Sequence, residues 1–198
     1  MAITNYLELR LELAERINRS DVAGRAASAV ELATKRLSRE LRLPEMEKLA
    51  TTTVIADWTE LPDDFQEIRS INAGDDALEY RTPWQLQSMA QRTYRPHVPV
   101  YTIADMSFRI YPTQTDLDVR VLYYASIPAL VNDTDTNWLL EKYPDVYVEC
   151  GMADLNRWVK DYAAAREHEA YVQKFIEDSK ARSRRIAYGA APIAVRVA

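Results

Sequence analysis

The sequence predicts an α+β fold: a helical bundle formed by the N- and C-terminal helices, with an antiparallel β-sheet domain inserted between them. Three observations carry this reading. Both ends of the 198-residue chain hold good helix formers with apolar residues at helical spacing. The middle is built of short runs rich in Thr, Val, Ile and Tyr, separated by turn residues. No internal repeat, low-complexity segment or long linker interrupts this order. The expected divisions are an N-terminal helical hairpin over 1–48, a β domain over 49–130, helices completing the bundle over 131–188, and a tail over 189–198.

Residues 4–42 read as two helices. Thr4 and Asn5 are cap types, and Asn5 with Glu8 has capping-box spacing. Leu7, Leu9, Leu11 and Leu13 alternate with charged residues, which is a strand pattern. Helix is preferred because Leu, Glu and Arg are helix formers, and because Tyr6, Leu9, Leu13 and Ile17 line one helical face. Asn18-Arg19-Ser20-Asp21 breaks the run, and Ser20 or Asp21 is expected to cap a second helix. That helix buries Val22, Ala26, Ala29, Val30, Ala33 and Leu37 and ends before Pro44. Two such antiparallel helices form an αα-hairpin.

In the middle, 51–55 and 68–71 read as strands around the turn Leu61-Pro62-Asp63-Asp64-Phe65. A short helix is expected over 83–90, capped by Thr82. Residues 101–103, 107–111 and 119–124 read as three antiparallel strands connected by 104–106 and 112–118. Tyr123 and Tyr124 then point to opposite faces. Towards the end, Asn137 caps a short helix over 138–142 and Pro144 opens another through Leu155 and Trp158. A last helix carries Tyr162, Tyr171, Phe175 and Ile186 and stops at Gly189.

Composition narrows the function. The net charge is −5 and the pI near 5.2, so non-specific coating of nucleic acid, which rests on Lys and Arg neutralising phosphates, is not expected. A charge of this sign would keep DNA from sticking to a surface that it had to slide past. Cys150 is the single cysteine, which fits a reducing cytoplasm. No apolar run has membrane-spanning length, and the opening MAITNYLELR does not read as a signal peptide.

A series of segments carries a family resemblance. It begins with Asn5-Tyr6-Leu7-Glu8-Leu9, the Asn18-Arg19-Ser20-Asp21 break, ATKRLSRELRLPEM over 33–46, and Leu61-Pro62-Asp63-Asp64-Phe65-Gln66-Glu67-Ile68. Leu78-Glu79-Tyr80 before Thr82-Pro83, Arg95-Pro96, Tyr101-Thr102-Ile103 and Arg109-Ile110-Tyr111-Pro112 continue it. The most specific stretch is YYASIPAL over 123–130, followed by Thr136-Asn137-Trp138-Leu139-Leu140 and Tyr143-Pro144-Asp145-Val146-Tyr147. In this order, over roughly residues 5–180, the chain resembles the head-to-tail adaptor (connector) proteins of tailed bacteriophages. It departs from them at Ala104-Asp105-Met106, where a Gly-containing turn is usual, and its tail after Arg185 lies outside the resemblance.

The resemblance implies a structural virion protein made in the host bacterial cytoplasm. It implies a homo-oligomeric ring, usually of twelve subunits, docked on the portal protein and holding a downstream tail or nozzle protein. DNA passes through the channel without sequence-specific binding. No catalytic residue, cofactor or metal is implied.

The residues themselves offer little catalytic chemistry. Asp133-Thr134-Asp135-Thr136-Asn137 opens like a calcium loop, but Trp138 stands where Gly is needed and Pro144 where a bidentate Glu belongs, so a polar turn ending in a helix cap is the plain reading. Asp57, Glu60, Asp63, Asp64 and Glu67 cluster around Trp58, and solvated turns explain them better than a paired-carboxylate hydrolase. His97 and His168 belong to different segments and have no metal-site spacing. Cys150 reads as a core residue. Trp138, Trp158 and Tyr162 are spaced for a helix face, as core packing or as subunit contacts.

Two rival classes stay open at this point: a non-ring assembly factor or tail chaperone, and a cell-wall hydrolase of the tail. Stoichiometric presence in purified particles separates an adaptor from a chaperone. The channel surface is expected to be acidic or neutral, with the β-domain turns as donors, including Asp57, Asp63, Asp64, Asp75, Asp76, Asp116 and Asp118. Portal binding is expected from the C-terminal segment, through the basic run Arg182, Arg184 and Arg185 and the alternating Ile193, Val195 and Val197, which suit strand addition to a sheet edge. The helix there loses its apolar stripe after Ile176, so it is expected to project from its own domain.

Overall fold

A computed structural model describes residues 3–54, 57–92, 96–113 and 116–189, with side chains to residue 185. Contacts divide the chain into two units: Met1–Glu45 with Ser126–Ala198, and Met46–Ala125. The α+β class holds, and no helix among the described residues is long and apolar enough to cross a membrane.

The first unit is helical. In α1 (Tyr6–Ile17), Leu9 and Leu13 are fully buried while Leu7 and Leu11 are exposed; a strand would have put all four on one side. The Asn5 side chain accepts the Glu8 N–H at 2.9 Å. Glu8 reaches one residue past the cap, where its carboxylate accepts the Thr4 N–H at 2.6 Å and hydroxyl at 2.7 Å. Asn18, left-handed at φ 48°, ends the helix.

The expected cap at Ser20 or Asp21 is corrected. Both residues lie inside a single turn, α2 (Ser20–Ala23), and Asp21 is drawn to the Arg19 guanidinium at 2.8 Å instead of to backbone N–H groups. Helix α3 (Ala26–Glu40) starts after Arg25 without a side-chain cap. Its buried face, with Val22 of α2, is the predicted one: Ala26, Ala29, Val30, Ala33 and Leu37. A single 3-10 turn follows at Pro44–Met46.

The chain returns to this unit with α5 (Trp138–Lys142), capped by Asn137, α6 (Pro144–Trp158), opened by Pro144, and α7 (Tyr162–Gly189). Helix α1 lies close on α6 at Gly151, where an added Cβ would stand 2.9 Å from Leu13 Cδ1. Beside this contact the fully buried Tyr147 hydroxyl meets the Thr34 hydroxyl at 3.2 Å and the Asn137 amide at 2.9 Å. Asn137 also donates to the Pro128 carbonyl at 2.8 Å.

The expectation that late α7 leaves its domain is also corrected. Ser179 is buried in line with Ala165, Val172 and Ile176. One turn later Ser183 donates to the Arg42 carbonyl at 2.6 Å, and Arg182 donates to the Tyr143 hydroxyl at 3.0 Å. Polar side chains, rather than an apolar stripe, hold this stretch to the bundle.

The second unit holds β1 (Glu47–Val54), β2 (Thr59–Glu60), β3 (Phe65–Ala73), β4 (Asp76–Ala77), β5 (Glu79–Tyr80), α4 (Pro83–Gln91), β6 (Val100–Ala104), β7 (Ser107–Tyr111) and β8 (Leu117–Ala125). They form two four-stranded sheets, β1-β8-β3-β4 and β2-β7-β6-β5. The expectation of one inserted sheet with three successive strands is thereby refined. Strand β8 does not pair with β7 but runs antiparallel between β1 and β3, which have eight and nine residues against its own nine. Asp116, at φ 60°, turns the chain there and donates its N–H to Val54. One short pair, β5 with β6, is parallel.

Both sheets contribute to a shared core, including Val54, Ile71, Tyr101, Phe108, Ile110, Val119, Val121 and Tyr123. Tyr123 is buried and Tyr124 only half-buried, as opposite strand faces require. Asp105 and Met106 both have positive φ, 47° and 56°, so the β6–β7 hairpin is a type I′ turn built without glycine. Thr82 forms a reciprocal capping box with Gln85 at the start of α4.

Candidate interaction surfaces

The charge is not shared between the units. The helical unit has 18 acidic and 18 basic residues, and the β unit has 12 acidic against 7 basic. The whole net charge of the chain therefore resides in the β unit.

Several β-unit acids are engaged locally. Asp57 lies 3.4 Å from Arg109 and accepts from the Thr113 hydroxyl at 3.2 Å. Asp64 takes Lys48 at 2.6 Å and the Tyr123 hydroxyl at 2.8 Å. Burial works to raise the Asp64 carboxyl, but these bonds outweigh it and hold the group below its ordinary value. Burial first, then the bond to Asp64, pushes the Tyr123 phenol up to about 12. Asp118 accepts from Thr53 at 2.7 Å. By contrast Asp75 and Asp76, at the two-residue β3–β4 hairpin, are exposed and form no ion pair among the described residues.

The stretch that opens like a calcium loop directs its oxygens to protein donors. Asp135 accepts the Asn132 and Val131 N–H groups, both at 2.8 Å, and these bonds lower its pKa. Asp133 pairs with Arg10, and Asn137 accepts the Leu140 N–H at 2.9 Å. No group of three or more His, Cys, Asp or Glu among the described residues is placed to hold a metal.

On the helical unit, Cys150 is buried, and burial pushes its thiol up to about 11. His168 sits 2.6 Å from the Glu149 carboxylate. Glu169 receives Arg36 and, at 2.5 Å, Arg157. The Arg36 hydrogen bond is the main reason its carboxyl falls to about 2.

The predicted portal-binding residues fall in two groups. Arg182, Arg184 and Arg185 are exposed on α7, with Arg182 bonded to Tyr143. Ile193, Val195 and Val197, with the rest of 190–198, lie outside the described residues. Trp138, Trp158 and Tyr162 do not share a helix face: they belong to α5, α6 and α7, and the left-handed Lys160 (φ 65°) separates the last two. Trp158 and Tyr162 are 45% and 57% exposed, so core packing is overturned for both, and the Arg25 guanidinium covers Trp158 at 4.2 Å.

Sequence reasoning missed Trp84 and Leu49, exposed by 76% and 65%. The signal for Trp84 was present: in α4 only Leu86 is buried, so a bulky residue two positions away falls on the outer face.

Comparison with curated proteins finds no match. The family model for the SU10 adaptor protein matches residues 4–196, which takes in the C-terminal segment left outside the sequence resemblance. Across nearly its whole length, then, the chain belongs to the SU10 adaptor protein family, a family of phage head–tail adaptors.

Proposed function

We propose that this chain assembles as a homo-oligomeric ring, of about twelve copies as the resemblance implies, joining the portal protein to the downstream tail or nozzle protein around the DNA channel. Membership of the adaptor family is the observation that carries this reading. The protein acts as a structural part of the virion, made in the host bacterial cytoplasm, and needs no cofactor. Acidic residues of the β unit, among them Asp57, Asp63, Asp64, Asp116 and Asp118, give the channel a surface that lets DNA slide, because a basic lining would grip it through counterion release. The C-terminal segment docks on the portal through Arg182, Arg184, Arg185, Ile193, Val195 and Val197.

The test combines purified protein with portal rings and examines the product by negative-stain microscopy. The expected result is a second ring stacked on the portal. Truncation after Tyr188 leaves the fold intact and abolishes portal binding in a pull-down. A protein that never enters purified particles is an assembly factor instead, and a full-strength pull-down by the truncated chain moves the docking surface elsewhere.

A further inference from the structure

The corner between α6 and α7 has the composition of an interaction hot spot: Trp158 and Tyr162 exposed, Arg25 stacked on Trp158, and Arg157 and Arg166 alongside. Arg25, Lys160 and Arg166 have no carboxylate partner among the described residues, unlike Arg36 and Arg157, which share Glu169. A concavity of about 190 Å³ opens here, lined by Arg157, Tyr162, Ala165, Arg166 and Glu169. It is large enough for an acidic side chain and too small for a helix. Of the acids nearby, Glu169 is covered by two guanidinium groups, and Asp161 is occupied in accepting the Ala164 N–H at 3.1 Å. Glu167 stays exposed, so the corner is a basic spot bounded by acids and not a continuous basic stripe of the kind that tracks DNA.

The complement is present in the same sequence. Gly74-Asp75-Asp76 is a compact hairpin tip with Gly74 at φ 60°, fixed by the Arg120 guanidinium donating to the Gly74 carbonyl at 2.6 Å. It presents two adjacent carboxylates, unpaired among the described residues, in the unit that carries the chain's entire charge excess. We infer that the α6–α7 corner of one copy receives the Asp75-Asp76 hairpin of the next copy. Such a contact joins two different surfaces, head to tail, which is the kind of interface that closes into a ring. The inference rests on the ring reading above and assigns these two aspartates to a subunit contact, leaving the other acidic turns for the channel.

Charge reversal tests it with three full-length variants: D75K/D76K, K160E/R166E, and the four changes combined. All four positions are on the surface or unpaired, so folding is retained. Assembly on portal rings is counted by microscopy. Each double variant is expected to form at least ~10-fold fewer rings, because like charges then face each other. The combined variant recovers rings, since its charges are again opposite. Intact rings in either double variant, or no recovery in the combined one, overturns the inference. Absence of rings from the unmodified chain counts against the ring reading itself. Independently, a photo-crosslinking residue in place of Tyr162 should capture tryptic peptide 70–81 of a second copy; capture of portal, DNA or helical segments instead overturns the inference.

Discussion

In the helical unit acidic and basic residues are equal in number, and the guanidinium groups beside its core are paired, as Arg36 is with Glu40 and Glu169. Several buried hydroxyl and amide groups there are answered, Thr34 by Val30 and Tyr147, Ser38 by Ile127, and Asn156 by Met152, while Arg10 Nε has no partner among the described residues. The β unit is different. It has five more acids than bases, and among the described residues its exposed Asp75 and Asp76 form no ion pair and its buried Thr59 and Thr102 hydroxyls have no hydrogen-bond partner. A unit whose charges cancel internally offers little field to its surroundings, whereas an uncancelled excess is felt by whatever approaches. The first therefore acts outward only through local spots such as the α6–α7 corner, and the second through its overall charge.

The largest effect is expected at Asn137, where one amide side chain caps α5 and serves two more partners. Asn137→Ala removes the cap, takes one of two partners from the Tyr147 hydroxyl and leaves the Pro128 carbonyl without its Asn137 donor, a loss of about 2–3 kcal/mol. Urea denaturation followed by far-UV circular dichroism reads it. A cost under ~1 kcal/mol would mean that the network does not anchor the helical unit.

Next comes acid sensitivity, which the paired unit should show. Glu169 has its pKa lowered in the folded state from 4.5 to about 2. Its contribution is therefore fully present above pH 4.5 and is lost as pH falls through that value towards 2. With solvent screening it amounts to on the order of 1–2 kcal/mol. Glu169→Gln should lower stability at pH 7 and flatten the acid limb of the stability profile; an unchanged limb removes the pairing argument.

A matched pair of isosteric changes sharpens the contrast further. Thr34→Val deletes a satisfied hydroxyl and should destabilise by ~1 kcal/mol. Thr102→Val deletes an unsatisfied one in a strand and should stabilise by ~1 kcal/mol. Equal signs would show that the two units do not differ in this respect. The smallest effect is at the hairpin: Met106→Gly relieves a positive φ and should add about 0.5–1 kcal/mol, seen as a raised melting temperature.

Much of the fold could be read from local chemistry. The caps at Asn5, Thr82 and Asn137 and the opening prolines at 83 and 144 act within one turn of themselves, so sequence exposes them. The start of α3 was illegible because no side chain caps it. Strand order was illegible because β8 finds β1 and β3 by length and burial across many residues, not by adjacency. The corner surface was hidden twice: Arg25 and Trp158 come from opposite ends of the chain, and the turn at Lys160 breaks the helical spacing that placed Trp158 and Tyr162 on one face. The acidic hairpin, being a Gly-Asp-Asp turn, was visible as a turn but its lack of partners was not.

The most direct test of the adaptor account is the mass of the complex formed with portal rings, measured by native mass spectrometry. The account predicts a gain of about twelve copies of the 22.8 kDa chain, in one step and without intermediate stoichiometries. No gain in mass, or a few copies bound in a graded series, would contradict it.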